Sequence, residues 1–415
     1  QMKSFEYPKQ ITNYLSYLII KVKKYKYKFK VWELECVSLK DYMRSHAEAL
    51  EGKPPKTKAL TDIIKTSNQK SGNTKPEEYS LDDFEIKGLL GKGGFGRVFW
   101  VVEKKRQLDM VLKVISKKET NDNPYFNELS SEKVILDLPP HPCLLNGLGS
   151  FNSKTKIFLV LPLMKGGDLY GYLQKNIYIS EKIIKYVVGA ISLGLGHLHQ
   201  HQFVYRDLKP ENCLLDEFGR LKLSDFGLCR KLEQGSSKSF SGSPSFLAPE
   251  VILKQDYGFT ADWWSLGIIL FEMIYGHLPF RDLDLSVLFK SITTESVILP
   301  KTRNISSELK NILLGLLEKD PTKRLGFVND FRDILDHEWM LDFKEKQVLN
   351  QKYSILNSRE KPEDLAFNWL QNFEDFQETE TISKTYLPDA YRNNQRESSE
   401  QIYTFSNNNV HYFKT

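Results

Sequence analysis

The chain has 415 residues, of which 40% are hydrophobic and 27% charged, so it holds enough apolar material for a sizeable core. Lysine and arginine outnumber aspartate and glutamate by 58 to 53, and a formal charge of +5 is too small to indicate a nucleic-acid-binding protein. The four cysteines show neither disulfide-like nor metal-like spacing, which favours a reducing cytoplasmic location over a secreted disulfide scaffold.

Residues 1–52 are interpreted as an N-terminal extension and residues 53–80 as a polar linker rich in Lys, Thr, Ser and Pro. In the extension, lysines alternate with aromatic and aliphatic residues over 21–32, which predicts a strand with one basic face. A helix is predicted over 38–50. The longest apolar run, Tyr14–Ile20, is far shorter than the roughly 20 residues that a membrane-spanning helix needs.

A dense apolar block, residues 81–340, comes next and carries the chemistry. Strand-like runs lie around 99–102 and 110–115. Helix-like runs follow at 181–199, 261–275 and 306–317. Strands followed by helices predict an α+β fold with two lobes, the first rich in strands and the second mainly helical. The remaining residues, 341–415, are polar and aromatic with little periodicity.

A glycine-rich segment opens the block with GKGGFGRV at 91–98. Gly91, Gly93 and Gly96 leave room for the backbone to approach phosphates and to point N–H groups at them. Similar glycines occur in nucleotide-dependent oxidoreductases, but there a helix follows at once. Here residues 97–103 are β-branched and aromatic, and a turn and second strand follow. The pattern therefore predicts a hairpin whose tip binds phosphate.

Two charged residues are predicted on apolar faces. Lys113 shares one face of the second strand with Val111 and Ile115. A helix is predicted to begin near 122–124, and Glu132 lies on or beside its apolar face. A carboxylate there needs a cation, and Lys113 is the natural candidate. The open alternatives are a snorkelling surface lysine and a solvated glutamate.

A second motif, YRDLKPEN at 205–212, precedes a predicted hairpin that ends in DFG at 225–227. Because a hairpin brings its two ends together, it places Asn212 near Asp225. An amide oxygen and a carboxylate are suitable ligands for Mg²⁺. Asp207 is then in reach of a substrate hydroxyl. Phosphoryl transfer needs a metal ion and a cation on the phosphates, and a carboxylate that orients the nucleophile.

Together these motifs resemble the catalytic domain of eukaryotic protein kinases, and most closely the AGC group, which includes the cyclic-nucleotide-dependent kinases and protein kinase C. The motifs run in the order GKGGFGRV, VLKV, Glu132, YRDLKPEN, DFG, APE, DWWSLG and DPTKRLG. Tyr205, where histidine is commoner, and the acidic-aromatic residues 372–376 are similar to AGC features. By this resemblance, residues 341–415 are an AGC-type C-terminal tail.

The resemblance implies an ATP-dependent protein serine/threonine kinase. Asp207 is implied to be the catalytic base, and Lys209 to steady the transferred phosphoryl group. Lys113, kept in place by Glu132, is implied to bind the α- and β-phosphates. The implied Mg²⁺ ligands are Asn212 and Asp225. The implied ATP-binding residues are Gly91, Lys92, Gly93, Gly94, Phe95, Gly96, Val98, Val111, Lys113, Leu161, Leu163 and Leu214.

Regulation is also inferred from the resemblance. Ser239 occupies the activation-loop phosphorylation site, so an upstream activating kinase is expected. A phosphate on Ser239 is implied to pair with Arg206 and Arg230 and to order the loop. Ser406 belongs to a tail segment that resembles the hydrophobic motif of AGC kinases, and residues 410–413 compete for that role.

Three carboxylates match positions where basophilic relatives hold arginines of the substrate: Asp168, Glu211 and Glu272. Carboxylates are suited to bidentate arginine recognition, so we expect protein substrates with basic residues before the acceptor. The open alternative is that these are ordinary surface acids.

The extension at 1–52 resembles the end of a pleckstrin-homology domain, whose basic face would contact anionic membrane lipid. A bare N-terminal extension is the open alternative. The chain begins with Gln1 rather than methionine, so we expect further residues upstream. The expected location is cytoplasmic, with recruitment to membrane.

Two rival functions remain besides the oxidoreductase. A pseudokinase scaffold would lack the catalytic and metal-binding residues, whereas Lys113, Asp207, Asn212 and Asp225 are all present. A small-molecule kinase of related fold would lack the APE segment and the serine-rich loop before it. The sequence therefore favours an active protein kinase over both.

Overall fold

The computed structural model of the protein describes residues 79–93, 96–117, 132–153, 155–176, 178–232 and 236–355. All of them belong to the second of two units, Lys75–Thr415. The first unit, Gln1–Thr74, lies outside the described residues, and so do the strand and helix predicted there. The beginning of the helix that contains Glu132 and the tail after residue 355, including Ser406, lie outside them as well.

The small lobe is a five-stranded sheet. Its strands are β1 (Phe84–Gly93), β2 (Gly96–Glu103), β3 (Leu108–Ser116), β4 (Gly149–Asn152) and β5 (Lys156–Pro162). They are antiparallel in the order β1-β2-β3-β5-β4. Gly93 pairs with Gly96 at the end of the first hairpin, so the glycine segment forms the predicted hairpin tip.

The two faces of β3 contribute to different cores. Leu112 and Val114 join an outer cluster of buried side chains within the small lobe. Val111 and Ile115 join a cluster that continues into the large lobe. Because successive side chains of a strand alternate, Lys113 lies on the second face, toward the cleft between the lobes.

The large lobe is mainly helical, as predicted. Its helices are α1 (Leu169–Lys175), α2 (Glu181–Gln200), α3 (Pro249–Ile252), α4 (Thr260–Tyr275), α5 (Leu285–Thr294), α6 (Ser307–Leu316), α7 (Phe331–Leu335) and α8 (Glu345–Leu349). Ser180 caps the start of α2 by accepting from the backbone of Ile183, and α4 ends at Gly276 in the left-handed region with φ 74°. Within the described residues, no helix is both long and apolar enough to cross a membrane.

Short strands position the loops that face the cleft. They are β6 (Gly167–Asp168), β7 (Phe203–Val204), β8 (Cys213–Leu215), β9 (Leu221–Leu223) and β10 (Arg230–Lys231). The β8–β9 hairpin forms as predicted and pairs with β6, while β7 pairs with β10. The end of the loop that follows β7 lies beside the segment that follows β9, because the N–H of Ser224 donates to the carbonyl oxygen of Asn212 at 3.0 Å.

A buried ion pair links several parts of the large lobe. Arg324 donates two hydrogen bonds to the Glu250 carboxylate, at 2.6 and 2.8 Å, and both side chains are at most 1% exposed. The same guanidinium donates to the carbonyl oxygens of Thr260 and Glu318. One side chain therefore connects α3, the start of α4 and the segment after α6.

Glu250→Gln is expected to lower the free energy of unfolding by about 3 kcal/mol, because it leaves the Arg324 guanidinium buried without a counter-charge. The neighbouring pair Lys323–Asp320, at 3.4 Å and exposed to solvent, provides the control. Lys323→Gln is expected to leave the unfolding midpoint nearly unchanged. Urea unfolding measures both variants, and equal losses would contradict the structural role of the buried pair.

Candidate active site

Lys113 on β3 stands at the centre of the cleft. Its Nζ donates to Glu132 Oε1 at 2.7 Å and to Asp225 Oδ1 at 2.8 Å. The Glu132 side chain is only 4% exposed, whereas that of Asp225 is 54% exposed. The structure thus brings together the lysine and the glutamate that the sequence pattern paired, and it places Asp225 on the open side of the lysine.

The carboxylates keep Lys113 charged. Burial by itself lowers the pKa of Lys113, but Asp225 and Glu132 together outweigh burial and raise it above its ordinary value. In return, the positive charge of Lys113 lowers the pKa of Asp225. A cation and an exposed carboxylate therefore stand side by side at neutral pH, as binding of phosphate and a metal ion requires.

Backbone conformation turns Asp225 toward Lys113. Asp225 has φ 53° and ψ 75°, in the left-handed region that few non-glycine residues adopt. The next residue, Phe226, is 1% exposed and packs edge-on against Tyr205, with ring centroids 6.1 Å apart. Because Phe226 is anchored in the core, the reversed backbone directs the preceding carboxylate into the cleft.

Asp207 lies in the loop after β7 and is held by three donors. Lys209 Nζ and Asn212 Nδ2 donate to its Oδ2, at 2.8 and 2.9 Å. Ser243 Oγ donates to its Oδ1 at 2.8 Å and accepts from Lys209 Nζ at 2.9 Å. The Asp207 side chain is 9% exposed. This arrangement fixes the orientation of one acceptor group at the edge of the cleft.

Ser243 is a site residue that the sequence did not single out. It is one of six serines between 236 and 245, and nothing in their spacing sets it apart. Gly242 before it has φ 123°, and a Cβ there would lie 2.6 Å from the carbonyl oxygen of Arg206. Gly242 lets this segment approach the Asp207 loop closely. The glycine directly before Ser243 is therefore the one sequence feature that could have indicated this contact.

Asn212 and Asp225 offer oxygen ligands. Asn212 uses its amide nitrogen for bonds to the Asp207 carbonyl and carboxylate, which leaves the amide oxygen for a ligand. Its backbone carbonyl accepts from the N–H of Ser224, the neighbour of Asp225, at 3.0 Å. Oxygen donors of this kind fit a hard cation such as Mg²⁺. Within the described stretches no group of three or more His, Cys, Asp or Glu could hold a metal ion.

An apolar wall lines the cleft where adenine is expected. Val111 and Leu161 pair across β3 and β5 and belong to the core cluster shared by the two lobes. Val98, Leu163 and Leu214 pack against the same cluster. Five of the ATP-binding residues implied by the resemblance therefore belong to, or pack against, the one core cluster that continues from the small lobe into the large lobe.

The glycines of the loop differ in their surroundings. A Cβ on Gly96 would lie 2.3 Å from the carbonyl oxygen of Val114 in the adjacent strand, whereas one on Gly91 would meet nothing within 4 Å. Gly96 is therefore required by the packing of β2 on β3. Outside the described residues lie Gly94, Phe95 and the side chain of Lys92.

Ser239 lies against two polar side chains. Arg206 Nη1 donates to its hydroxyl, and Tyr257 OH lies 3.2 Å from that hydroxyl and donates to the Ser239 carbonyl at 2.7 Å. Arg206 also donates from Nε to Leu228 O at 2.6 Å. Arg230 is exposed on β10 and makes no hydrogen bond to Ser239 in the described part of the chain. Of the two arginines expected near Ser239, Arg206 therefore contacts it and Arg230 does not, while Tyr257 is an additional neighbour.

The three candidate substrate-binding acids have unequal surroundings. Asp168 caps the start of α1, with Oδ1 accepting from Gly171 N at 2.7 Å. Burial and the neighbouring Glu211 raise the pKa of Glu272 to about 7. Its Oε2 is buried without a hydrogen-bond partner among the described residues. Among the described residues, Glu211 and Glu272 thus form a pair of acids without a cation, whereas Asp168 already caps a helix.

The comparison with known proteins agrees with this geometry. The protein kinase domain family matches residues 84–340. Serine/threonine-protein kinase sgk-1 of Caenorhabditis elegans is 38% identical over 289 residues, 69% of this chain and 62% of the relative. The cAMP-dependent protein kinase catalytic subunit of Schizosaccharomyces pombe is 35% identical over 297 residues, 71% of this chain and 58% of the relative. The chain therefore spans about three fifths of the length of these two curated relatives.

A third relative matches over a longer region. Serine/threonine-protein kinase Sgk1 of Oryctolagus cuniculus is 33% identical over 341 residues, which is 81% of this chain and 77% of the relative. The similarity therefore extends beyond the residues that the domain family matches.

Gly96→Ala is expected to destabilise the protein by about 1–3 kcal/mol, because its Cβ would collide with the β3 backbone. Gly91→Ala, in the same loop but facing open space, is the matched control and is expected to leave the melting temperature within a degree or two. Differential scanning calorimetry of both variants without ligand tests this. Equal melting temperatures would show that Gly96 has no packing role.

Proposed function

Since the chain belongs to the protein kinase family, and within it to the AGC group, we propose that it transfers the γ-phosphoryl group of ATP to serine or threonine hydroxyls of proteins. One observation supports this above the others. Lys113, with its two carboxylates, and Asp207, with its three donors, come from separate segments and meet at one cleft. No observation favours the alternative of a pseudokinase scaffold.

The proposed reaction begins with Asp207. Its fixed carboxylate accepts a hydrogen bond from the substrate hydroxyl and orients the oxygen toward the γ-phosphorus. A bond forms between that oxygen and the phosphorus, the bond from the phosphorus to the β–γ bridging oxygen breaks, and the hydroxyl proton passes to Asp207. Lys209, 2.8 Å from the same carboxylate, lies where its charge offsets the charge on the transferred group.

The nucleotide is held by charges and by the apolar wall. Lys113 binds α- and β-phosphate oxygens, and Glu132 keeps its ammonium group in place. Asn212 and Asp225 would hold Mg²⁺, which neutralises charge on the phosphate oxygens when bound. Adenine lies against the apolar wall that Val111 and Leu161 help to form.

The activity is tested with Mg²⁺, ATP and a library of serine- and threonine-containing peptides. Asp207→Asn keeps the shape of the side chain but removes the base, so phosphate incorporation is expected to fall at least about 100-fold. Asp282→Asn, an exposed acid after α4, is the control and should match the wild type. Absence of transfer by the wild type, or full transfer by Asp207→Asn, would refute the proposed function.

Regulation is proposed to act through Ser239. Its hydroxyl already lies against the Arg206 guanidinium, so a phosphate added there by an upstream kinase would form charge-assisted hydrogen bonds. Arg230, on the strand that pairs with the residues just before Arg206, would join the phosphate by turning its exposed side chain.

Substrate preference is proposed to rest mainly on Glu211 and Glu272. Burial and the nearby charge of Glu211 both disfavour the ionised form of Glu272. An arginine of the substrate placed between the two carboxylates would relieve this repulsion and bind both of them. Asp168 contributes its second carboxylate oxygen, since only Oδ1 is used in capping α1. The proposed substrates are therefore proteins with arginine before the acceptor residue.

Glu272 makes this preference dependent on pH. The pKa of Glu272 is about 7, and arginine binds the ionised form, so KM for an arginine-containing peptide is expected to fall as pH rises from 6 to 8. Glu272→Gln is expected to raise KM at pH 8 about tenfold or more and to flatten this pH dependence. Steady-state kinetics should show no such change with an arginine-free peptide. An unchanged pH dependence of KM in Glu272→Gln would contradict the assignment.

Folding stability provides a second measurement on the same variant. The folded-state pKa of Glu272 is raised above its ordinary value of 4.5, so the folded state binds more protons between these two values. Stability from this group is therefore lost as pH rises through about 7. Glu272→Gln should remove that decline.

We further propose an intracellular location with recruitment to anionic lipid through the basic residues 21–30, which lie outside the described part of the chain. Binding of the full chain to liposomes with and without phosphatidylserine tests the lipid contact. Equal binding to both kinds of liposome would contradict the proposed contact with anionic lipid.

A further inference from the structure

The backbone of the catalytic loop is held from below by Asp262, in the first turn of α4. Its Oδ2 accepts from the N–H of Tyr205 and its Oδ1 from the N–H of Arg206, both at 2.8 Å. Arg206 has φ 69°, a conformation that side-chain-bearing residues rarely adopt. Because Asp207 is the next residue, the direction of its carboxylate depends on these two hydrogen bonds.

Asp262 is itself bonded to a buried histidine. His199 Nε2 lies 2.9 Å from Asp262 Oδ2, and His199 Nδ1 lies 2.7 Å from Oδ1 of Asp330, in the loop before α7. The same Asp330 oxygen accepts from the Trp263 indole at 3.0 Å. The His199 side chain is 1% exposed. A continuous path of hydrogen bonds therefore runs from Asp330 to the catalytic loop.

The geometry determines where the protons are. An ionised carboxylate only accepts hydrogen bonds, and a neutral imidazole donates from one nitrogen alone. Both ring nitrogens of His199 face carboxylate oxygens, so with both carboxylates ionised the two hydrogen bonds form only if both nitrogens carry protons. The ring faces no other titratable side chain in the described residues: Phe259 stacks on it at 4.4 Å and Trp263 meets it edge-on at 5.2 Å. The Cys229 thiol near Asp262 stays uncharged, since burial raises its pKa.

We propose that Asp330 is a positioning residue for phosphoryl transfer, acting through His199 and Asp262 on the backbone that aims Asp207. The inference rests on the proposed function. An imidazole that lost its second proton would turn a lone pair toward one of the two carboxylates. If that lone pair faced Asp262, the Oδ2 atom would lose its hydrogen bond from His199 and would be repelled by the ring nitrogen. The same Oδ2 accepts the hydrogen bond from the N–H of Tyr205. The loop would loosen and Asp207 would lose its orientation.

The charge on Asp330 matters as well as its oxygen atom. Burial by itself lowers the pKa of His199, but hydrogen bonds to Asp262 and Asp330 outweigh burial and raise it to about 9. Removing the charge of Asp262 or of Asp330 should therefore lower the pKa of His199 toward neutral pH.

The test variant is Asp330→Asn, which keeps an oxygen acceptor for His199 and Trp263 but removes the charge. Wild-type kcat with an arginine-containing peptide is expected to hold up to about pH 9 and to fall above it. In Asp330→Asn the fall should begin at least one pH unit lower, while kcat at pH 6.5 stays within about threefold. Identical alkaline midpoints would overturn the proposal.

Asp333→Asn is the matched control, because Asp333 accepts from Val328 N and Asn329 N in the same loop without reaching His199. A purely structural effect of loop carboxylates would shift both variants alike. We expect Asp333→Asn to keep the wild-type pH profile. A shift of equal size in both variants would overturn the specific role of Asp330.

A measurement without catalysis separates this proposal from the proposed function. The chain has eight histidines, and NMR titration of histidine-labelled protein should show one that keeps its proton above pH 8. In Asp330→Asn that resonance should titrate at lower pH. Should the variant fail to fold, the wild-type titration alone decides, since every histidine titrating below pH 7 would overturn the proposal. A wild type with this histidine and no kinase activity would refute only the proposed function.

Discussion

Lys113 is a cation whose side chain is only 12% exposed, and the rest of the cleft is arranged around the two carboxylates that stabilise its charge there. An ammonium group removed from water is strongly destabilising unless it is paired. Glu132 comes from a helix of the small lobe and Asp225 from the end of the β8–β9 hairpin of the large lobe. One interaction thus connects both lobes, and it holds the metal-binding candidate beside the phosphate-binding candidate.

Two further charged groups in and below the described cleft are paired in the same manner. Asp207 has Lys209, and the imidazolium of His199 lies between two aspartates. Glu211 and Glu272 have no cation of this kind among the described residues, and the pKa of Glu272 shows the consequence. This pair of carboxylates is therefore suited to bind a positively charged group of a partner molecule.

Sequence periodicity predicted several of the described elements well, because the side-chain patterns of strands and helices repeat over short distances. The helix predicted over 181–199 and α2 differ by one residue, and the β8–β9 hairpin lies where expected. Lys113 and Glu132 were found because each breaks an apolar face. Their meeting could be inferred, since a buried charge needs a partner.

Residues that reach the site through tertiary contact left no such pattern. Ser243 resembles five neighbouring serines, and Tyr257 and Asp330 carry no local sign of their contacts with Ser239 and His199. The capping role of Asp168 was also missed, although an acid just before a helix is a known start signal.

The surroundings of Ser239 set a condition on how the protein is switched on. Its hydroxyl contacts Arg206 and Tyr257, and the backbone of Ser237, two residues earlier, both donates to and accepts from the backbone of Tyr257. An activating kinase must bind Ser239 in the cleft of that kinase. It would therefore act on molecules in which residues 237–239 have separated from Arg206 and Tyr257. The speed of activation would then follow the equilibrium between attached and detached segments, and weaker hydrogen bonds between Ser237 and Tyr257 would produce a protein that is faster to activate.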